Sequence, residues 1–196
     1  MGVITKTGGG FTDLPGNGNN GAESRSVQKD NPLIECLGTL DELDAFLSLC
    51  EIALKPDGGS RAADIVAEVR KKLFTAIMPG VAGYLSADTK RSITETENIA
   101  LNTAWIEQQT AKLEKETPVQ GFVRTWTKST AAVLNTARTV CRRSERRMIT
   151  AMAQAAVFDN EVEEPKNKKI RTALFAWINR LSDLLFFLAV SEERRQ

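Results

Sequence analysis

Five arginines fall within ten residues, at positions 138, 142, 143, 146 and 147 of the segment ARTVCRRSERR. On a helix Arg138, Arg142 and Glu145 share one stripe, with Arg143, Arg146 and Arg147 beside it. Guanidinium forks bind phosphate or carboxylate through two parallel hydrogen bonds, so the stripe suits an anionic ligand. An exposed face laced with salt bridges to the chain's own carboxylates would explain it equally well. Further on, Asn179 and Asp183 stand four apart in an otherwise apolar run, among Trp177, Leu181, Leu184 and Leu185. Polar groups there need partners. Either Asp183 pairs with a neighbouring arginine and fixes helix register, or the Asn179 amide is aimed at a ligand's base or ribose.

A third candidate lies at the N-terminus, where seven of the 13 glycines fall in MGVITKTGGGFTDLPGNGNNG. A frayed end accounts for this composition. So does a loop whose backbone N–H groups and threonine hydroxyls surround a phosphate, with Lys6 as the point charge. The spacing G-x-x-x-x-G-K-[ST] is absent. Asp41, Glu42 and Asp44 form a small acidic group that is favourable near a helix N-terminus. The chain has no histidine, which removes Ser-His-Asp and Cys-His schemes, histidine-ligated zinc and the usual neutral-pH base. Cys36, Cys50 and Cys141 are odd in number and widely spaced, so they read as reduced core residues, and no metal site is expected.

The elements that must position these groups are helices. Aromatics make up 6% of 196 residues and the middle and end of the chain are rich in Ala, Leu, Glu, Lys and Arg, which disfavours a sandwich. Leu33, Leu37, Leu40, Leu43, Leu47, Cys50 and Leu54 make one helical stripe. Thr39 with Glu42 is a capping-box signal, which predicts a first helix over about 40–55, preceded by a turn and stopped by Pro56-Asp57-Gly58-Gly59. Ser60 caps a second helix with Ile65, Val66, Val69, Leu73 and Ile77 inside, ended by Pro79-Gly80. After a loop over about 80–93, Thr94 with Glu97 opens a third, carrying Ile99, Trp105, Ile106 and Leu113 and ending before Pro118. A fourth starts near Thr127 and carries Val133, Leu134, Ala137, Cys141, Met148 and Met152. The polar stretch from Phe158 to Lys169 reads as a solvated loop, and a fifth helix buries Ile170, Leu174, Trp177, Ile178, Leu181, Leu185 and Leu188. An all-α, five-helix antiparallel bundle is the economical fold. One domain is expected, a glycine-rich nucleotide-binding segment over 1–32 leading into the bundle over 33–196.

Net charge is +1, with Lys+Arg 26 and Asp+Glu 25, but it is unevenly spread. Residues 1–60 carry 4 basic and 9 acidic side chains and residues 121–196 carry 14 and 8, so the two ends of the chain are electrostatically complementary. Without an overall positive excess, a nucleic-acid surface is not expected. The longest purely apolar run, Leu184–Val190, is far short of the roughly 20 residues that cross a bilayer. No secretory or transit signal is visible, so the expected location is cytoplasmic, or the chain has lost a targeting segment.

Taken in order, TKTG at 5–8, GTLDEL at 38–43, ARTVCRRSERR at 137–147 and INRLSDLLF at 178–186 closely resemble the PduO-type ATP:cob(I)alamin adenosyltransferases, along essentially the whole chain. The resemblance implies a ferritin-like five-helix bundle assembled as a homotrimer, with ATP between neighbouring subunits and the corrinoid close by. It implies transfer of the 5′-deoxyadenosyl group of ATP to cob(I)alamin, with triphosphate released and Mg²⁺ assisting. Residue by residue, Thr5, Lys6, Thr7, Gly8 and Thr12 match the family's nucleotide loop and Lys29 its phosphate-binding lysine. Arg142 and Glu145 match its ATP-site pair and Asn179 its nucleotide-contacting asparagine. Arg138 and Asp41 match a salt bridge across the subunit interface. Phe122 matches the aromatic residue beneath the corrin that keeps the lower axial ligand off cobalt.

Differences accompany the match, among them a stretch between the fourth and fifth helices that is longer than usual. The loop TKTGGGFT is one residue shorter than the usual T-K-x-G-D-x-G-x-T and lacks its aspartate; Thr125-Trp126-Thr127 replaces a Pro-Gly-Gly turn; and Asn135 stands where histidine is common. The expected partners are ATP, cob(I)alamin and an adenosylcobalamin-dependent enzyme that receives the product. The competing expectation is a non-catalytic corrinoid- or nucleotide-binding module, acting as a chaperone or sensor. A ferritin-like carboxylate metal protein is disfavoured, because its E-x-x-H pattern cannot occur without histidine.

Overall fold

The computed structural model describes residues 10–14, 25–55, 60–85, 93–121, 123, 125–158 and 165–195. Two short strands, β1 (Phe11–Leu14) and β2 (Arg25–Gln28), pair antiparallel with Phe11 opposite Gln28 and Leu14 opposite Arg25. The helices are α1 (Pro32–Leu54), α2 (Arg61–Lys72), α3 (Met78–Leu85), α4 (Ile93–Glu116), α5 (Ser129–Phe158) and α6 (Pro165–Arg194). A π-helical turn, Leu73–Ile77, joins α2 to α3 without a break, so the described helices form five rods. The sequence predicts neither the strand pair nor the continuation of the second rod through Leu85, where a loop over about 80–93 is expected.

Consecutive rods run antiparallel. Ser144 on α5 meets Thr39 on α1, and Glu145 meets Asn179 on α6. Arg61 of α2 reaches Glu116 of α4 at 2.7 Å, and Arg70 of α2 binds Asp44 of α1 through two nitrogens, at 3.0 and 3.2 Å. The contact of α4 with α6 is the exception: Glu107 meets Arg180 and Pro118 meets Arg194, so these two rods run parallel, with α5 between them in sequence. The stripes foreseen from sequence all face one core, in which Leu40, Leu43, Leu47, Leu134, Met148 and Trp177 are fully buried. The three cysteines lie in it unpaired. Burial pushes the Cys36 and Cys50 thiols up to about 12 and raises Cys141 as well, so they are inert packing groups. By length and composition α6 could cross a membrane, yet its apolar residues Leu174, Trp177, Ile178 and Leu181 are the buried centre of the bundle.

Helix ends differ from expectation for physical reasons. The first helix begins at Pro32, because Asn31 Oδ1 accepts from the Leu33 N–H at 2.9 Å and Pro32 needs no N–H partner in the first turn. Thr39 therefore lies inside the helix, and its hydroxyl donates to the Glu35 carbonyl at 2.6 Å instead of capping. Ser60 does cap α2, accepting from Ala63 N at 3.2 Å. Pro79-Gly80 does not end that rod. The preceding π turn, in which Met78 N–H reaches the Leu73 carbonyl, widens the helix where the proline ring would otherwise clash with the carbonyl four residues back. The fourth rod begins at Ser129 and runs to Phe158, and the fifth begins at Pro165, so Asn167–Lys169 are helical rather than part of a loop.

Gly80 shows why that continuation holds. A Cβ there would lie 3.2 Å from Leu174 Cδ2 and 3.4 Å from Ile99 Cδ1, so glycine lets the rod approach α4 and α6 closely. Gly80→Val adds two further methyl groups to a filled space and should cost about 2 kcal/mol, the overpacking range. The urea unfolding midpoint measures this, and an unchanged midpoint would show that the contact yields freely.

Candidate functional site

The arginine-rich helix α5 has a buried face and two different flanks. The buried face carries Leu134, Ala137, Cys141, Ser144 and Met148. On the flank toward α1, Arg143 pairs with Glu42, and Arg147 lies 3.5 Å from Glu35. These are the chain's own carboxylates answering its own arginines, as one of the two sequence readings expects.

The other flank, toward α6, behaves differently. Arg138 donates through Nε to Asn135 Oδ1 at 3.0 Å and meets no carboxylate among the described residues. Burial, and then the neighbouring Arg142 charge, hold its pKa below the ordinary arginine value. It nevertheless stays charged, since guanidinium does not deprotonate in proteins. Arg142 is exposed, one helical turn away, and among the described residues it has no hydrogen-bond or ion-pair partner; the same holds for Arg146. Glu145 is half-buried beside them and accepts from Asn179 Nδ2 of α6 at 3.1 Å. That bond orients the amide and leaves its carbonyl oxygen and second N–H available. Two adjacent, unneutralised guanidinium groups next to an oriented carboxamide can hold a polyanion bearing a hydrogen-bonding ring.

Of the two readings of the α6 pair, the intramolecular Asp183–Arg pair is the one that the described contacts show. Arg180 binds Glu107 at 3.0 Å and Asp183 at 3.5 Å, so the Asp183–Arg pair forms, while Asn179 turns the other way to Glu145. At the N-terminal end, strand pairing sets Thr12 opposite Val27. In the turn that follows β2, the Lys29 N–H donates to the Gly10 carbonyl at 2.8 Å. The exposed Lys29 thus shares one end of the strand pair with Gly10, although the two are 19 positions apart in numbering. Thr5, Lys6, Thr7, Gly8 and Phe122 lie outside the described residues. Asp41 is exposed on α1 and has no ion-pair partner among the described residues. It makes no contact with Arg138 within the chain. Among the described residues no group of three or more His, Cys, Asp or Glu could hold a metal ion.

Sequence reasoning missed one further polar centre. The Glu193 carboxylate, at the end of α6, accepts from the Thr127 N–H at 3.0 Å, the Lys128 N–H at 3.1 Å and the Thr127 hydroxyl. Those bonds, the hydroxyl first, hold its pKa below the usual carboxylate value. Its partners lie about 65 positions away, and no local pattern marks such a pairing.

The sequence profile of the cobalamin adenosyltransferase family matches residues 3–192. The chain is 30% identical over 194 residues to the corrinoid adenosyltransferase PduO of Salmonella typhimurium, covering 98% of this chain and 50% of that protein. It is 28% identical to the corrinoid adenosyltransferase of Bacillus subtilis, covering 96% of this chain and 85% of that one. The chain thus spans about half the length of the PduO relatives it matches. Its fold is similar to that of a PduO-type ATP:corrinoid adenosyltransferase of Lactobacillus reuteri, an arginine-to-lysine variant solved with ATP. The TM-score is 0.64 at 20% identity, covering 94% of this chain and 89% of that one. A phenylalanine-to-alanine variant of the same enzyme, solved with cobalamin and ATP, gives 0.58 at 19% identity over 87% of this chain and 84% of that one.

An exposed arginine that repels Arg138 and binds nothing among the described residues adds no stability. Arg142→Ala should leave the urea midpoint within about 0.5 kcal/mol of the parent, the range of ordinary surface changes. A large loss would mean that the guanidinium is structural.

Proposed function

The chain belongs to the cobalamin adenosyltransferase family, and we propose that it transfers the 5′-deoxyadenosyl group of ATP to cob(I)alamin, giving adenosylcobalamin and triphosphate. The observation that carries this reading is the exposed Arg142, which has no partner among the described residues, beside the Asn179–Glu145 hydrogen bond. The cobalt(I) electron pair forms the bond to C5′, the C5′–O bond breaks, and the triphosphate leaves with the bonding pair. The metal of the substrate is thus the nucleophile, and a protein without histidine loses nothing by it. What remains for the polypeptide is to place C5′ over cobalt and stabilise the departing charge.

In this reading Arg142 holds the phosphate chain and Asn179 with Glu145 holds the nucleoside. Thr5, Lys6, Thr7, Gly8, Thr12 and Lys29 close over the triphosphate from the N-terminal side. Mg²⁺ usually keeps several waters and binds through phosphates with one or two carboxylates. Its proposed place is therefore on the nucleotide, in keeping with the lack of a three-ligand cluster among the described residues. Phe122 lies beneath the corrin and keeps the lower ligand off cobalt, which makes cobalt(II) easier to reduce. The product passes to an adenosylcobalamin-dependent enzyme in the cytoplasm.

The same reading calls for a homotrimer with a site shared by neighbouring subunits. Among the described residues the half-buried Arg138 meets no carboxylate and the exposed Asp41 no cation, which supports it, because each is a partner the other could take. On the face of α1 that carries Asp41, Leu49 and Ile52 are 53% and 65% exposed, apolar surface that a second copy can cover.

Incubation with ATP, Mg²⁺ and chemically reduced cobalamin should convert the cob(I)alamin spectrum to that of a light-sensitive alkylcobalamin. Corrinoid binding without conversion would select the non-catalytic module instead. Arg142→Ala should lower turnover by about 10²-fold, the usual effect of removing one donor to a developing anion. A second expectation concerns assembly. Arg138→Asp should shift sedimentation toward smaller species, since breaking a buried pair costs about 3–5 kcal/mol, and adding Asp41→Arg should restore the trimer. A single variant that stays trimeric would exclude this contact.

A further inference from the structure

The last turn of α6 touches the connection between α4 and α5 at both of its ends. At the near end Arg194 Nη1 donates to the Pro118 carbonyl at 2.8 Å. At the far end Glu193 accepts from the Thr127 and Lys128 N–H groups and from the Thr127 hydroxyl, while Lys128 Nζ donates to the Arg195 carbonyl. Three consecutive residues of one helix end thus bind the two ends of a stretch running from Pro118 to Lys128. Between those ends Gly121 turns the chain with φ +80°, and Trp126 packs half-buried against the core.

Surface connections ordinarily leave such backbone groups to water, because fixing them costs conformational entropy. Here a carboxylate is spent on two N–H groups and a hydroxyl, and charge-assisted bonds of this kind are roughly twice as strong as neutral ones. The cation of Lys128 in turn caps a carbonyl at a helix C-terminus, where the helix dipole favours it. The bonds do not hold the bundle together, since α5 and α6 already share a long apolar seam including Cys141 and Ile178. What they do fix is the path of the connection.

We propose that the end of α6 is a clasp that positions the α4–α5 connection for corrinoid binding, with Glu193 and Arg194 as positioning residues. The corrinoid part rests on the functional reading above, in which Phe122, within this connection, faces the corrin. Because Arg142, Glu145 and Asn179 stand elsewhere on α5 and α6, the clasp should act on one substrate and not the other.

The test uses the full chain and two independent variants. In Glu193→Ala the Thr127 and Lys128 amides should exchange with deuterium about tenfold faster or more, the loss of one charge-assisted bond, while the centre of α5 keeps its protection. The KM for cob(I)alamin should rise by about tenfold on the same grounds, with the KM for ATP moving less than about twofold. Glu193→Gln keeps one acceptor and should recover part of the difference. Arg194→Ala, which frees the other end, should move the same constant in the same direction and stands in should Glu193→Ala not fold. Unchanged amide exchange, or equal shifts in both KM values, would overturn the clasp. Absence of turnover in the parent chain would overturn the functional reading and the corrinoid assignment with it, while amide exchange would still decide whether the clasp exists.

Discussion

Two guanidinium groups that repel each other, those of Arg138 and Arg142, are held side by side on a helix whose opposite flank is tied down by carboxylates. This asymmetry organises the chemistry of the molecule. If Glu35 and Glu42 faced the α6 side of α5, they would pair with arginines there and leave Arg143 and Arg147 as the uncompensated charge on the other flank. Since they answer only Arg143 and Arg147, the positive charge that remains is concentrated along one edge, next to the Glu145–Asn179 bond. Glu145 belongs to that edge and keeps its negative charge, but it forms no ion pair with Arg138 or Arg142 and instead accepts from the Asn179 amide.

Much of this was legible before any coordinates. The apolar stripes of the five rods, the cysteines as core residues and the arginine edge follow from helical periodicity, and each reappears as a buried or flanking position. What misled the reading was local punctuation. Thr39-x-x-Glu42 looks like a helix start, but Asn31 and Pro32 start the helix earlier, and a threonine inside a helix returns its hydroxyl to the carbonyl of Glu35. Pro79-Gly80 looks like a stop, but a π turn makes room for the ring and Gly80 is needed for the approach to Leu174 and Ile99. A proline's effect depends on the turn before it, which its own residue type does not specify.

The remaining features were hidden because they join distant parts of the chain. The pairing of Phe11 with Gln28 spans a segment whose glycine and asparagine content reads only as loop. The contacts of Glu193 bridge 65 or 66 positions and those of Arg194 bridge 76, and a glutamate and an arginine in a last helical turn look like surface residues on composition alone. The arginine edge shows the converse. Its members were all identified from spacing, yet which of them are neutralised depends on where α1 lies, and that is set by packing.

Packing also explains how flexible side chains on two separate rods can be placed accurately. Arg142 follows Cys141, whose thiol donates to the Ile178 carbonyl at 3.3 Å across the α5–α6 seam, and Asn179 follows Ile178. Glu145 follows Ser144, whose hydroxyl lies 3.1 Å from the Thr39 carbonyl of α1. Arg142, Glu145 and Asn179 are therefore each the immediate neighbour of a buried residue that makes, or accepts, a hydrogen bond between rods. Apolar contacts alone tolerate small slides of one helix along another, whereas a slide separates the Cys141 thiol from the Ile178 carbonyl and leaves the Ser144 hydroxyl only the Val140 carbonyl of its own helix. The buried contacts thus fix register at the levels where the polar groups must meet. In the proposed transfer, where the protein supplies no acid or base, that positional constraint would be the polypeptide's main contribution, together with the cationic edge it holds in place.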